Sequence, residues 1–238
     1  MTRRIGILLT CVDDSEFATR FPDDGEKFRR LLQPLRPDWS FTTIPVKDNV
    51  FPASAEDYVG YIITGSPVSV NGPQTWIEPL LAFIRELESK KIKTFGACFG
   101  HQAIAVALGS EVETSPKGWG LGTGKTVFAE QAEWMTPPQR EMTLFAAHAD
   151  QVTKLPEGAT LLGGDEFCPI GAYRVGSHVF ATQYHPEMTP DFVEALLVEL
   201  ETSLDAPAIA KAKASLSKEA EGAKFAHWIV NFLDNPAA

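Results

Sequence analysis

The chain has 238 residues, 44% of them hydrophobic and 22% charged, with a formal net charge of −10 at pH 7, a balance that fits a globular fold with a sizeable core. The surplus of acids opposes polyanion binding, which needs clustered Lys and Arg, so no nucleic-acid partner is expected. The start, MTRRIGILLT, is too short an apolar run for a signal peptide or membrane span, and the scattered Cys11, Cys98 and Cys168 make no disulfide framework; a cytoplasmic protein without membrane contact is expected.

Residues 4–10, RIGILLT, read as a buried strand. The Asp/Glu-rich stretch from Asp13 to Glu26 leads into an amphipathic segment, EKFRRLLQPL. WSFTTIPV reads as a second strand, GYIITGSP (60–67) as a third ending in a turn, and TWIEPLLAFIRELESK (75–90) as a helix. IKTFGAC is a fourth strand and FGHQAIAVALG the helix behind it. This alternation predicts an α/β fold with a mostly parallel central sheet and helices on both faces.

From about residue 126 the runs TVFA, TLFAAH, ATLLGG, IGAYRV and HVFATQY are strand-like with little helix between them, so added antiparallel strands are expected. After Thr189 the pattern is helical again. Phe225, Trp228, Ile229 and Phe232 recur at i, i+3, i+4 and i+7, one face of a helix expected to pack on the body of the fold. No internal repeat or long linker divides the chain. Residues 1–238 are read as one domain, with a core at about 1–200 and a helical extension at about 201–238.

The stretch Gly96-Ala97-Cys98-Phe99-Gly100 has the spacing of a nucleophile elbow, a strand-to-helix turn so tight that its flanking positions need small side chains. The thiol would stand at a helix N-terminus, where the dipole favours an anion and the N–H of Phe99 has no intrahelical partner. A thiol nucleophile needs a base. Of the five histidines, His185 is followed by Pro186 and Glu187, so imidazole and carboxylate would project from a stiff loop at a strand end. His101, one helical turn from Cys98, would pack against the sheet, and His148 in AAHADQV reads equally as a turn residue or part of the site wall. No spacing suggests a metal, and no cofactor is expected. GWGLGTGKT (118–126) mimics a phosphate loop, yet Trp119 stands where that pattern needs glycine, so a nucleotide site is rejected.

Taken together, GACFGHQ around Cys98, QYHPE around His185 and Glu187, and ITGSP at 63–67 resemble the class I glutamine amidotransferases over roughly residues 55–190. HADQVTKLPEGA and KGWGLG are similar to free-standing members near the amidotransferase domain of GMP synthase. The resemblance implies a flavodoxin-like α/β fold and a Cys98-His185-Glu187 triad that opens the side-chain amide of glutamine, or another γ-glutamyl amide, through a γ-glutamyl thioester. It places the oxyanion against the N–H groups of Phe99 and Ser66, the latter a serine where many relatives have glycine. Gln102 would help hold the glutamyl end, and Asp150 is a candidate for the α-amino group. The expected substrate is glutamine or a γ-glutamyl compound. The reading taken is a glutamine amidotransferase with glutaminase-type hydrolysis, which could serve a separate synthase partner; a free-standing γ-glutamyl amide or peptide hydrolase is the alternative, and an inactive regulatory or binding protein a further one, against which the intact triad argues.

Overall fold

The computed structural model describes residues 3–235; the outermost residues of the expected domain, 1–2 and 236–238, lie outside the described residues. Its main sheet has nine strands in the order β2-β1-β3-β4-β11-β10-β9-β6-β7. β1 (Arg3–Leu8), β2 (Trp39–Ile44), β3 (Gly60–Ile63), β4 (Lys93–Ala97) and β11 (Val179–Thr182) run parallel. GYII, KTFGA and VFAT are buried at every position, as strands covered on both faces must be.

Period-two alternation sorts the sheet's side chains into two cores. On one face Ile5, Ile7, Ile62, Phe95 and Phe180 pack with Phe28 and Leu32 of α2 (Asp24–Leu32) and with α7 (Gly222–Asp234). Leu8, Tyr61, Ile63 and Ala181 turn the other way, toward α3 (Ile77–Ser89) and α4 (Phe99–Ala107). α2 begins where the Asp23 carboxylate accepts the Glu26 N–H, and it ends before Pro34, whose ring cannot continue a helix. Phe225, Trp228, Ile229 and Phe232 are all fully buried. The last helix is therefore part of the core, with Phe225 stacked on Phe180 at 5.4 Å between centroids.

The antiparallel half contains β6 (Gly120–Phe128), β7 (Glu141–His148), β9 (Ala159–Gly164) and β10 (Ala172–Val175). β5 (Val112–Thr114) and β8 (Asp150–Val152) make a separate two-stranded ribbon, so HADQV spans the join from β7 to β8. β6 starts six residues before the run from 126 suggested, and the phosphate-loop mimic lies mostly inside it. Its glycines answer to packing. A Cβ on Gly124 would lie 2.1 Å from Tyr184, and one on Gly122, whose φ is +80°, would lie 2.6 Å from the Ala212 carbonyl of α6 (Ala206–Ser215). The acidic stretch after β1 also carries a short helix, α1 (Glu16–Thr19), which packs near α5 (Pro190–Leu200). No helix among the described residues is long and apolar enough to cross a membrane.

Candidate active site

Cys98 stands between β4 and α4 with φ 52° and ψ −105°, a left-handed conformation that a side-chain-bearing residue adopts only under constraint. The constraint is visible on both sides. A Cβ on Gly96 would sit 2.6 Å from the Gly100 carbonyl, and one on Gly100 would sit 2.4 Å from the Ile63 carbonyl. The helix is thus pressed against its own strand and against β3, with Cys98 N–H donating to Thr182 O at 2.9 Å. Gly100→Ala is expected to cost roughly 1–3 kcal/mol by overpacking, read as a lower denaturant midpoint at unchanged m-value; an unchanged midpoint would mean that the contact can relax.

The turn after β3 is tied to the same corner. Gly100 N–H donates to Thr64 O at 3.2 Å. Thr10, two residues beyond β1, donates its hydroxyl to Gly65 O at 2.8 Å, and Ser66 Oγ donates to Thr10 O at 2.8 Å. The serine hydroxyl therefore anchors the turn to β1, and the turn forms part of the wall of the cavity that holds the thiol. Nothing in the sequence singles out Thr10, because a lone threonine after an apolar run carries no pattern.

His185 arrives from the far end of the chain because β11 lies directly beside β4, with Thr182 opposite Ala97. Its N–H donates to Phe145 O at 2.8 Å, so β7 braces the loop that carries it. His185 Nδ1 lies 2.7 Å from Glu187 Oε1, both residues buried. The ring's Nε2 is buried without a hydrogen-bond partner among the described residues, and His185 Cε1 and Cys98 Cβ both lie within 3.8 Å of where a Gly65 Cβ would stand. Burial alone would push the imidazolium down. The Glu187 carboxylate and Cys98 outweigh it and hold His185 well above its ordinary value.

The other two cysteines and the histidines at 101 and 148 are kept neutral. Burial, aided by the Asp24 carboxylate, pushes the Cys11 thiol up to about 12, and burial takes Cys168 to about 12. Burial lowers His101 and His148 to about 3, His148 being further discouraged by His185. His101 packs its ring 4.8 Å from Tyr173, away from the thiol, whereas His148 lines the cavity at Cys98. Iodoacetamide at neutral pH is accordingly expected to modify Cys98 before Cys11 or Cys168, as peptide mapping would report; preferential labelling of either of those two would contradict the assignment.

Gln102 and Asp150 share that cavity, which measures about 800 Å³ and is walled by Cys98, Gly65, Ser66 and His185. Gln102 spends its amide NH₂ on Asp150 O at 2.7 Å and Gln183 Oε1 at 3.2 Å, so it offers a ligand only its carbonyl oxygen. The Asp150 carboxylate accepts from Ser69 Oγ at 2.6 Å and Thr114 Oγ1 at 2.7 Å and keeps lone pairs for a cation. Among the described residues no cluster of His, Cys, Asp and Glu could hold a metal ion.

A mostly parallel α/β sheet that sets a thiol on a strained strand-to-helix turn, with a buried His-Glu pair on the neighbouring strand's loop, has the layout of an α/β fold that carries a nucleophile elbow. A family model for class I glutamine amidotransferases matches residues 35–200, and the chain belongs to that family. It is 31% identical over 185 residues to gamma-glutamyl peptidase 3 of Arabidopsis thaliana, covering 74% of this chain and 69% of that protein. To a subunit of the glutamine-hydrolyzing GMP synthase of Methanosarcina barkeri it is 30% identical over 148 residues, 62% and 71% of the two chains. A glutamine amidotransferase crystal structure from Thermotoga maritima superposes with a TM-score of 0.76 at 18% identity, covering 98% and 96% of the chains, which bears out the expected fold.

Proposed function

We propose that the protein is a cysteine-dependent hydrolase of γ-glutamyl amide bonds. Cys98 sulfur attacks the γ-carbonyl carbon, and the N–H groups of Phe99 and Ser66 receive the oxyanion. His185 gives its Nε2 proton to the departing nitrogen as the C–N bond breaks, leaving a γ-glutamyl thioester. The neutral imidazole then takes a proton from water, whose oxygen displaces the sulfur to give glutamate. Glu187 holds the ring and stabilises its cation, while Gln102 and Asp150 are assigned to the glutamyl end. The reduced thiol this requires fits a cytoplasmic location.

The observation that carries this reading is the cavity of about 800 Å³ at Cys98. Cavities of that size hold drug-sized molecules, and releasing ammonia from glutamine needs no room beyond the scissile amide. Similarity to a protein named gamma-glutamyl peptidase agrees with it. The second reading, a glutaminase passing ammonia to a separate synthase, is supported by the likeness to the Methanosarcina barkeri GMP synthase chain. Incubating the purified protein with glutamine and a panel of γ-glutamyl amides, and following glutamate release, separates them. Hydrolysis of substituted amides at least as fast as glutamine is expected; activity confined to glutamine and awakened only by a partner would favour the second reading.

A further inference from the structure

The cavity lining holds two groups of opposite character. Gln102, Asp150 and Ser69 form a polar group joined by hydrogen bonds. Phe17, Phe21, Met188, Phe192, Leu196 and Leu200, supplied by α1, α5 and the residues flanking them, form an apolar group that adjoins the loop of His185. Three of these rings form one cluster: Phe17 to Phe21 at 5.5 Å, Phe17 to Phe192 at 5.7 Å and Phe21 to Phe192 at 5.1 Å, the last edge to face. Met188 follows Glu187 directly, and Phe145, whose carbonyl holds the His185 N–H, belongs to the same cluster. A leaving nitrogen must depart toward the imidazole that protonates it. The apolar group therefore faces the substituent on that nitrogen, not the glutamyl carbon chain.

Charge narrows the choice. Lys27 lies in this wall, its ammonium 3.5 Å from the centroid of Phe192, but it is already paired with Asp24 Oδ1 at 2.8 Å. Asp13, Asp14 and Asp23 border the cavity as well. A carboxylate entering here would meet two lysines that are already paired, Lys27 and, with Asp48 at 3.0 Å, Lys47, together with a surplus of acids, and it would lose its hydration.

We propose that this compartment receives the leaving amine, and that the protein prefers γ-glutamyl amides whose amine has an aromatic or branched apolar body and no carboxylate. The inference rests on the hydrolase reading above and extends it to the substrate class. It also accounts for the acidic segment between β1 and α2, which supplies one wall of the compartment and the charge that excludes amino-acid leaving groups.

The test compares four substrates on the wild-type chain: glutamine, γ-glutamyl-methylamide, γ-glutamyl-phenethylamide and γ-glutamyl-phenylalanine, the last two differing by one carboxylate. Phenethylamide is expected to exceed both methylamide and γ-glutamyl-phenylalanine in kcat/KM by at least about tenfold, the scale of a filled apolar pocket and of an unpaired buried charge. Phe192→Ala should lower the phenethylamide-to-methylamide ratio. γ-Glutamyl-phenylalanine turned over as well as or better than the phenethylamide would overturn the proposal and make Lys27 a carboxylate anchor. Equal rates for methylamide and phenethylamide, with glutamate released from both, would overturn it while leaving the hydrolase reading intact. Release from none of the four would remove both.

Discussion

Cys98→Ser is expected to lower kcat for glutamate release by roughly 10⁴-fold or more, the scale of losing a nucleophile from an assembled triad, while the melting temperature stays within about 3 °C of the parent. The stability half of the result follows from geometry. Serine has nearly the same shape, the strain at φ 52° is a backbone property that any residue with a Cβ would feel, and the Thr182 carbonyl accepts the same N–H. The activity half follows from chemistry, because a serine hydroxyl at neutral pH is not ionised and the neighbouring imidazole carries its proton to be given away. Kinetics and thermal unfolding measured on one preparation check both. Glutamate release at the parent rate would move the nucleophile to another side chain.

Glu187→Gln is the second large effect. The amide keeps the size of the carboxylate that sits 2.7 Å from His185 Nδ1 but removes the charge that does most to raise the imidazole above its ordinary value. Turnover is expected to fall roughly 10²- to 10⁴-fold, as when an orienting carboxylate in such a triad becomes an amide. The pH profile adds a sign. His185 must be protonated to supply the leaving nitrogen, so activity fails on the alkaline side as the imidazolium loses its proton. With the raising charge gone that loss comes earlier, and the alkaline limb of kcat/KM should move down by at least about one pH unit. The limb belongs to the coupled Cys98–His185 pair rather than to one group. A variant with full activity and an unmoved limb would leave Glu187 with only a packing role.

Legibility differs from one part of the molecule to another. The parallel half is plain in the sequence because its strands are short apolar runs ended by turns and followed by helices with apolar residues at helical spacing. The start of β6 is hidden because glycines that let Tyr184 and α6 come close look, in sequence, like glycines that free a loop. Only the family resemblance suggests Gln102 for the substrate; the fold shows its NH₂ already committed to Asp150 and Gln183, two residues far along the chain. The aromatic compartment is invisible, since Phe17, Phe21 and Phe192 share no local period.

What the sequence determined by itself was chemistry held in contiguous residues. Gly-x-Cys-x-Gly at a strand end forces the elbow, and His-Pro-Glu forces a stiff, acid-backed imidazole, because steric exclusion and fixed φ act over one or two peptide units. Tertiary structure alone decided what those groups meet. Pairing of β11 with β4 brings positions 98 and 185 to one corner, and packing of α1 against α5 gives the cavity its apolar lining. Both depend on side chains separated by more than eighty positions, and contacts of that kind arise only when burying apolar surface selects one arrangement of the whole chain.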